Sequence, residues 1–265
     1  MSDSTSVLCV GNATEDEVVH FNGELHEEQS VRSQSKLSVG GGATNTALVL
    51  GSTQYVDSVY LAAPIGMDDR GHRVLTKLKN NNVDLVLERG DDESTPLIRA
   101  FIFEDEKPQY AHENVGFEPF SPEDIPEDVW DDVDHVHMTS FDKEITTEFA
   151  TYAAEHDITI SFNPTQGYAD TEFGDVVQNA SLVQMNRSES ETFRERNGPL
   201  GTVVDELDTD VVITHGPAGC TMYSRDGVAS HSGYPNAVDE VVDTVGAGDS
   251  FMAGLVSSWL AGKNM

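Results

Sequence analysis

Short β-branched apolar runs alternate along most of the chain with longer stretches of helical period. The runs Val7–Val10, Ser58–Ala62, Val83–Leu87, His135–Met138, Thr159–Phe162, Leu182–Gln184, Val211–Thr214 and Cys220–Tyr223 read as strands, and Ala43–Thr53, Arg70–Asn81, Lys143–His156 and Gly248–Ala261 read as helices. Strands alternating with helices of this length predict a parallel sheet covered on both faces. Val211–Thr214 is almost continuously apolar, as a strand buried on both sides should be. Glu17–Ser38 and Pro96–Glu113 break the rhythm, being strand-like with no helix between their apolar runs. The expectation is one domain over residues 1–265: a three-layer α/β/α sandwich with a central, mostly parallel sheet, and a small β-sheet lid from about 14–38 and 96–114.

Composition narrows the class. A chain of 265 residues with 38% hydrophobic content can bury a sizeable core. No apolar run approaches the ~20 residues of a membrane span, and the N-terminus has no basic region followed by a long apolar one, so a cytoplasmic protein is expected. Cys9 and Cys220 sit in strand-like runs, lack metal or redox spacing, and read as buried thiols without a role. There are 47 acidic and 15 basic residues, a net charge of −32, with the acids scattered over the whole length. Such a surface suits a cytoplasm of very high salt, where the Debye length falls to ~3 Å at 1 M. It disfavours nucleic acid as a partner, since no basic stripe exists to displace counterions.

The candidate chemistry lies near the end, in Asp243-Thr244-Val245-Gly246-Ala247-Gly248-Asp249-Ser250-Phe251, followed by an apolar stretch that reads as a buried helix. Glycines at a helix N-terminus leave unpartnered N–H groups bare beside the positive end of the dipole, which suits phosphate. Asp249 there is expected to be ionised and able to accept a hydroxyl proton. By spacing alone the segment reads equally as a glycine-rich turn with an Asp helix start. No G-x-x-x-x-G-K-[ST] and no G-x-G-x-x-G occurs.

This segment resembles the second signature of the ribokinase-like (PfkB) carbohydrate kinases. Four further segments resemble that family's motifs, in its order: Gly40-Gly41-Gly42-Ala43-Thr44-Asn45-Thr46-Ala47, Gly66-Met67-Asp68-Asp69-Arg70-Gly71, Asn186-Arg187-Ser188-Glu189 and Thr214-His215-Gly216-Pro217-Ala218-Gly219. The resemblance implies a ribokinase-like fold and an ATP-dependent transfer of the γ-phosphoryl group, with Mg²⁺, to a hydroxymethyl group of a sugar or sugar-like compound. It implies Asp249 as base and Gly246, Ala247 and Gly248 as anion hole. It implies Asp16, Gly41 and Asn45 at the sugar, and Asn186, Thr214, Gly216, Gly219 and Thr244 at the nucleotide. Glu189 would organise Mg²⁺ through water. The transfer is expected to be in line, without a phosphoenzyme.

Some positions depart from the family. Thr14 stands where ribokinase has Asn, Gly42 where it has Lys, and Asn163 where many relatives have Asp. Members of that family usually continue beyond the helix that follows the catalytic Asp, whereas this sequence stops at Met265, so either the sequence is truncated or a more open adenine pocket is expected. A nucleoside kinase and a keto-deoxy sugar acid kinase are the alternatives within the fold, the latter with Arg99 as the carboxylate partner. A non-catalytic sugar sensor is the alternative outside it.

Other features read more plainly. His135 and His137 would share one side of a strand but lack a third metal ligand. Tyr110 and His112 would either touch substrate or pack within the lid, and Gly66–Gly71 is either a turn opening a helix or part of the site. Asp91-Asp92-Glu93 and Glu123–Asp132 read as solvated loops. An exposed lid edge could pair between subunits, giving a homodimer.

Overall fold

The computed structural model describes residues 5–21, 33–87, 94–103, 109–113, 117–164, 174–234 and 246–262. The first half runs β1 (Ser6–Val10), β2 (Thr14–Phe21), β3 (Ser33–Gly40), α1 (Gly42–Gly51), β4 (Ser58–Ala62), α2 (Asp69–Lys79), β5 (Val83–Leu85), β6 (Leu97–Ile102) and β7 (Gln109–Glu113). It continues with α3 (Glu127–Trp130), β8 (His135–Thr139), α4 (Lys143–Glu155), β9 (Thr159–Asn163), α5 (Gly174–Asn179), β10 (Leu182–Asn186), α6 (Arg187–Asn197) and α7 (Leu200–Leu207). The last elements are β11 (Asp210–Thr214), β12 (Cys220–Ser224), β13 (Gly227–His231) and α8 (Ala247–Leu260).

A nine-stranded sheet has the order β13-β12-β11-β10-β9-β8-β1-β4-β5. All its pairings are parallel except β11 with β12 and β12 with β13. Each strand from β1 to β11 turns alternate side chains to opposite faces, so the sheet builds two cores. Leu8, Val136, Phe162 and Met185 pack under α4, α5 and α7, where Phe149 is fully buried. Val7, Leu61, Leu182 and Val212 pack with Leu50 of α1, Leu78 of α2 and Met252 and Val256 of α8. Truncating a ring such as Phe149 costs roughly 3–5 kcal/mol, so α4 is held by its apolar side more than by helix propensity. α8 is buried along one face only: Met252, Ala253, Val256 and Ser257 are covered, and Gly254 is exposed.

The two segments that broke the alternation pair into a second sheet, β3-β2-β6-β7. β2 runs antiparallel to β3 and parallel to β6, and β7 returns antiparallel to β6. Salt bridges tie this lid to α2, from Arg73 to Glu15 and from Arg70 to Glu113.

Two expectations need correction. Residues 123–132 are not a solvated loop: Pro122–Asp124 form a 3₁₀ turn and α3 follows, with Ile125 and Val129 in the core. Ile125 is extended between the two short helices and Val129 lies within α3, so no single period in the sequence linked them. Cys220 is only partly buried, unlike Cys9.

Candidate active site

The carboxyl ends of the parallel strands, where open α/β sheets bind ligands, gather most of the residues singled out from the sequence. The switch point lies at β1: β4 follows it on one side and β8 on the other.

Just beyond β1 and β3 the three glycines have three separate reasons. A Cβ on Gly40 would collide with the Asp16 carboxylate. Gly41 caps α1 at φ 97°, a left-handed conformation, and a Cβ there would collide with the Asn12 carbonyl. A Cβ on Gly42 would lie 3.1 Å from Thr139 Cγ2 and 3.6 Å from Asp249 Oδ1. Gly40 thus leaves space for the Asp16 carboxylate, and Gly42 lies at the contact between Thr139 and Asp249.

Asp249 stands in the first turn of α8, whose cap Gly246 is left-handed at φ 73°. Asn45 Nδ2 of α1 donates to Asp249 Oδ2 at 2.8 Å, so α1 and α8 meet across this bond. Ala247 and Gly248 are exposed, and a Cβ on Gly248 would meet none of the described residues within 4 Å. Among the described residues nothing therefore packs over the first turn of α8 at that point. The sequence suggested an easily ionised Asp249. Instead burial raises its carboxyl above the ordinary carboxylate value, and the Asn45 amide partly offsets that. Burial also raises Asp16, while the Thr14 hydroxyl, donating at 2.7 Å, and the charge of His112 pull it back.

At the neighbouring strand ends Asn186 caps α6. Its Oδ1 accepts from Glu189 N at 2.9 Å, and Glu189 Oε2 accepts from Asn186 N at 2.8 Å. Burial raises the Glu189 carboxyl, and the negative charge of Asp249 adds to that. Thr214 lies beside Asn186 in register. The loop after it turns through Gly216 at φ 57° and Gly219 at φ 103°, closed by His215 N donating to the Gly219 carbonyl at 2.7 Å. Thr244 lies outside the described residues.

Asp249, Asn45 and Gly246 are thus in one cluster, Asp16 and Gly41 border it through the glycine turn, and Asn186, Glu189, Thr214, Gly216 and Gly219 line the adjoining strand ends. Thr139 and Gly40 also belong to this region. Nothing in the apolar run of β8 distinguished Thr139, and Gly40 gained its meaning only from Asp16. Among the described residues no group of three or more His, Cys, Asp or Glu could hold a metal ion. Asp249, raised by burial, and Glu189, raised by burial and by the charge of Asp249, still fit a divalent cation held largely by water and phosphate oxygens.

Other candidates resolve structurally. Asp68 caps α2, accepting from Gly71 N at 2.8 Å and from the Thr95 hydroxyl at 2.7 Å. Arg99 is engaged by Glu17 at 2.9 Å and Glu113 at 2.8 Å. His135 and His137 are fully buried and share the Ser161 hydroxyl, at 2.8 and 2.9 Å. Asn163 Nδ2 donates to Gln184 Oε1 at 2.8 Å. No helix among the described residues is long and apolar enough to cross a membrane.

Comparison with known proteins places the chain among the phosphotransferases whose acceptor is an alcohol group. Residues 4–265 match the model of the pfkB family of carbohydrate kinases, and the chain belongs to that family. It is 31% identical over 239 residues to an ATP-dependent ribose-1-phosphate kinase of Halopiger xanaduensis, covering 89% of this chain and 78% of that protein. It is 26% identical over 278 residues to a nucleoside kinase of Methanothermobacter thermautotrophicus, covering 100% and 86%. The crystal structure of the Methanocaldococcus jannaschii nucleoside kinase, an archaeal member of the ribokinase family, shares the fold. Its TM-score is 0.83 over 100% of this chain and 87% of that one, at 21% identity.

Proposed function

We propose that this kinase transfers the γ-phosphoryl group of ATP to a hydroxymethyl group of a ribose-type sugar, with Asp249 as general base. The observation that carries the reading is the Asp249 carboxylate, fixed by Asn45 at 2.8 Å beside the open first turn of α8. The acceptor oxygen attacks the γ-phosphorus while its proton passes to Asp249. The bond from phosphorus to the β–γ bridging oxygen breaks, and ADP leaves with that electron pair. A base so placed contributes about 10²–10⁴-fold. The N–H groups of Gly246, Ala247 and Gly248 take the charge that builds on the phosphoryl oxygens, each donor supplying about 2.7–4 kcal/mol.

Asp16, Gly41 and Asn45 would hold the sugar hydroxyls, and Thr214, Gly216, Gly219 and Thr244 the nucleotide. Asn186 and Glu189 would hold Mg²⁺ through water, and that ion would neutralise the phosphates. The lid excludes water, which would otherwise accept the phosphoryl group.

A nucleoside is the second reading, favoured by the half-buried Val18, Ile98 and Ala100 on the Asp16 side of the lid. A keto-deoxy sugar acid is disfavoured because Arg99 is committed to two carboxylates. The test is an ADP-release assay in molar KCl with sugars, sugar phosphates, sugar acids and nucleosides. Asp249→Asn is expected to lose at least 10²-fold in kcat while still binding acceptor. A variant that turns over normally would remove Asp249 from the reaction. Acceptor binding without ADP release by the wild-type protein would instead make it a sensor.

A further inference from the structure

The lid divides its charges between its two faces. Residues paired across strands share a face. On the face toward α2 lie Glu15, Glu17 and Glu113 with Arg99, where Arg70 and Arg73 also reach them. On the opposite face the pairings Ser38–Asp16–Ile98–His112 and Lys36–Val18–Ala100–Tyr110 form two successive rows. Asp16 is the only acid on that face among the described residues, and Lys36 and His112 flank it from the outer strands. In a chain with 47 acids and 15 Lys and Arg, a face of this composition is unusual.

Each position has its chemistry. Lys36 is exposed and pairs with no carboxylate among the described residues. His112 is exposed too, yet close enough to Asp16 for its charge to act on that carboxylate. The two outer strands stand three spacings, about 14 Å, apart across the sheet, a gap the stem of Lys36 narrows. This face borders the Gly40–Gly42 turn, where Asp16 and Asp249 approach the glycines. A sugar held by Asp16 with its hydroxymethyl group at Asp249 would turn its other end toward these two side chains.

We infer that Lys36 and His112 are specificity-determining residues that receive a phosphate group on the acceptor, so that the preferred substrate is a sugar phosphomonoester rather than a free sugar. The inference rests on the kinase reading above. A lysine ammonium and an imidazole N–H are hydrogen-bond donors suited to a phosphate dianion. The net charge of −32 repels such a substrate from everywhere else on the surface, so cations placed at the site supply local complementarity.

The test compares kcat/KM for ribose 1-phosphate, ribose, adenosine and a keto-deoxy sugar acid, using the full chain in molar KCl. Wild type should prefer ribose 1-phosphate over ribose by at least 100-fold. Lys36→Met and His112→Gln should each reduce that ratio at least tenfold, chiefly through KM for the phosphorylated acceptor. Lys77→Met, on the exposed side of α2, should leave the ratio as it is. Equal or better use of ribose, adenosine or the sugar acid would overturn the inference and leave the kinase reading standing. So would an undiminished preference in both lid variants. If no acceptor yields ADP, the kinase reading fails by itself. Calorimetric binding of ribose 1-phosphate and of ribose to the same three variants then decides the inference without turnover.

Discussion

Asp249 carries two opposed demands. Burial raises its carboxyl above the unfolded value of 3.8, so the native state holds the proton more tightly than the unfolded chain. The sign follows from linkage: this group favours the fold most below its unfolded pKa, and that contribution is lost as pH rises through the folded pKa. At neutral pH the ionised carboxylate is a cost to the fold. Asp249→Asn should therefore raise Tm, by roughly 2–4 °C for each ~1 kcal/mol relieved, while abolishing turnover. A calorimetric scan at pH 7 checks this, and a lower Tm would contradict it. The acid limb of kcat should also lie above the ordinary carboxylate range. Asn45→Ala removes the contact that lowers the Asp249 pKa, so in a pH profile of kcat that limb should move further up. Asp249 and Asn45 were picked out by the resemblance of their segments to the family's two glycine signatures, not by spacing alone. The raised carboxyl was not legible, because the dipole of a helix start is visible in the sequence and the depth of burial is not.

At the scale of elements, β8 and β9 bury an imidazole pair under the side of the sheet that α8 covers. Burial pushes His135 and His137 down to about 3 each, and the charge of His137 adds to the effect on His135. Their folded pKa lies below the unfolded value of 6.5, so the unfolded chain binds more protons between those limits. Their contribution is fully present above pH 6.5 and declines as pH falls toward 3. The slope is up to two protons, or about 2.7 kcal/mol per pH unit. His137→Asn should halve that slope relative to wild type in urea titrations at pH 4.5 and 7. An unchanged difference between the two pH values would mean that the imidazole is charged when folded. Eight of the nine strands of the main sheet and four of its helices were legible because apolar runs mark them. α6, Arg187–Asn197, was not, since its RSESETFRERN sequence has a single large apolar residue and is started by the Asn186–Glu189 capping box. β13 escaped notice because all five of its residues are exposed and show no alternation. The lid strands were legible only as interruptions of the βα rhythm.

For the whole molecule, 47 acids against 15 Lys and Arg make self-repulsion the dominant long-range force. Salt should screen it. Thermal unfolding in 0.1 M and 3 M KCl is expected to show a clear rise in Tm, and a flat or falling response would end the salt-adapted reading. The charge total was visible in the sequence. Its partition between the lid faces was not, because that depends on the register of β2 against β3 and β6.

The lid and the body meet through Arg73 with Glu15 and Arg70 with Glu113; Glu15 is buried, while both arginines and Glu113 reach solvent. Ions that quiet the crowded acidic surface must also loosen these clasps. The same brine that keeps the chain folded should then act as a lubricant for opening, so that product escapes more readily as the medium grows more concentrated. Turnover and endurance would peak at different ionic strengths in one molecule.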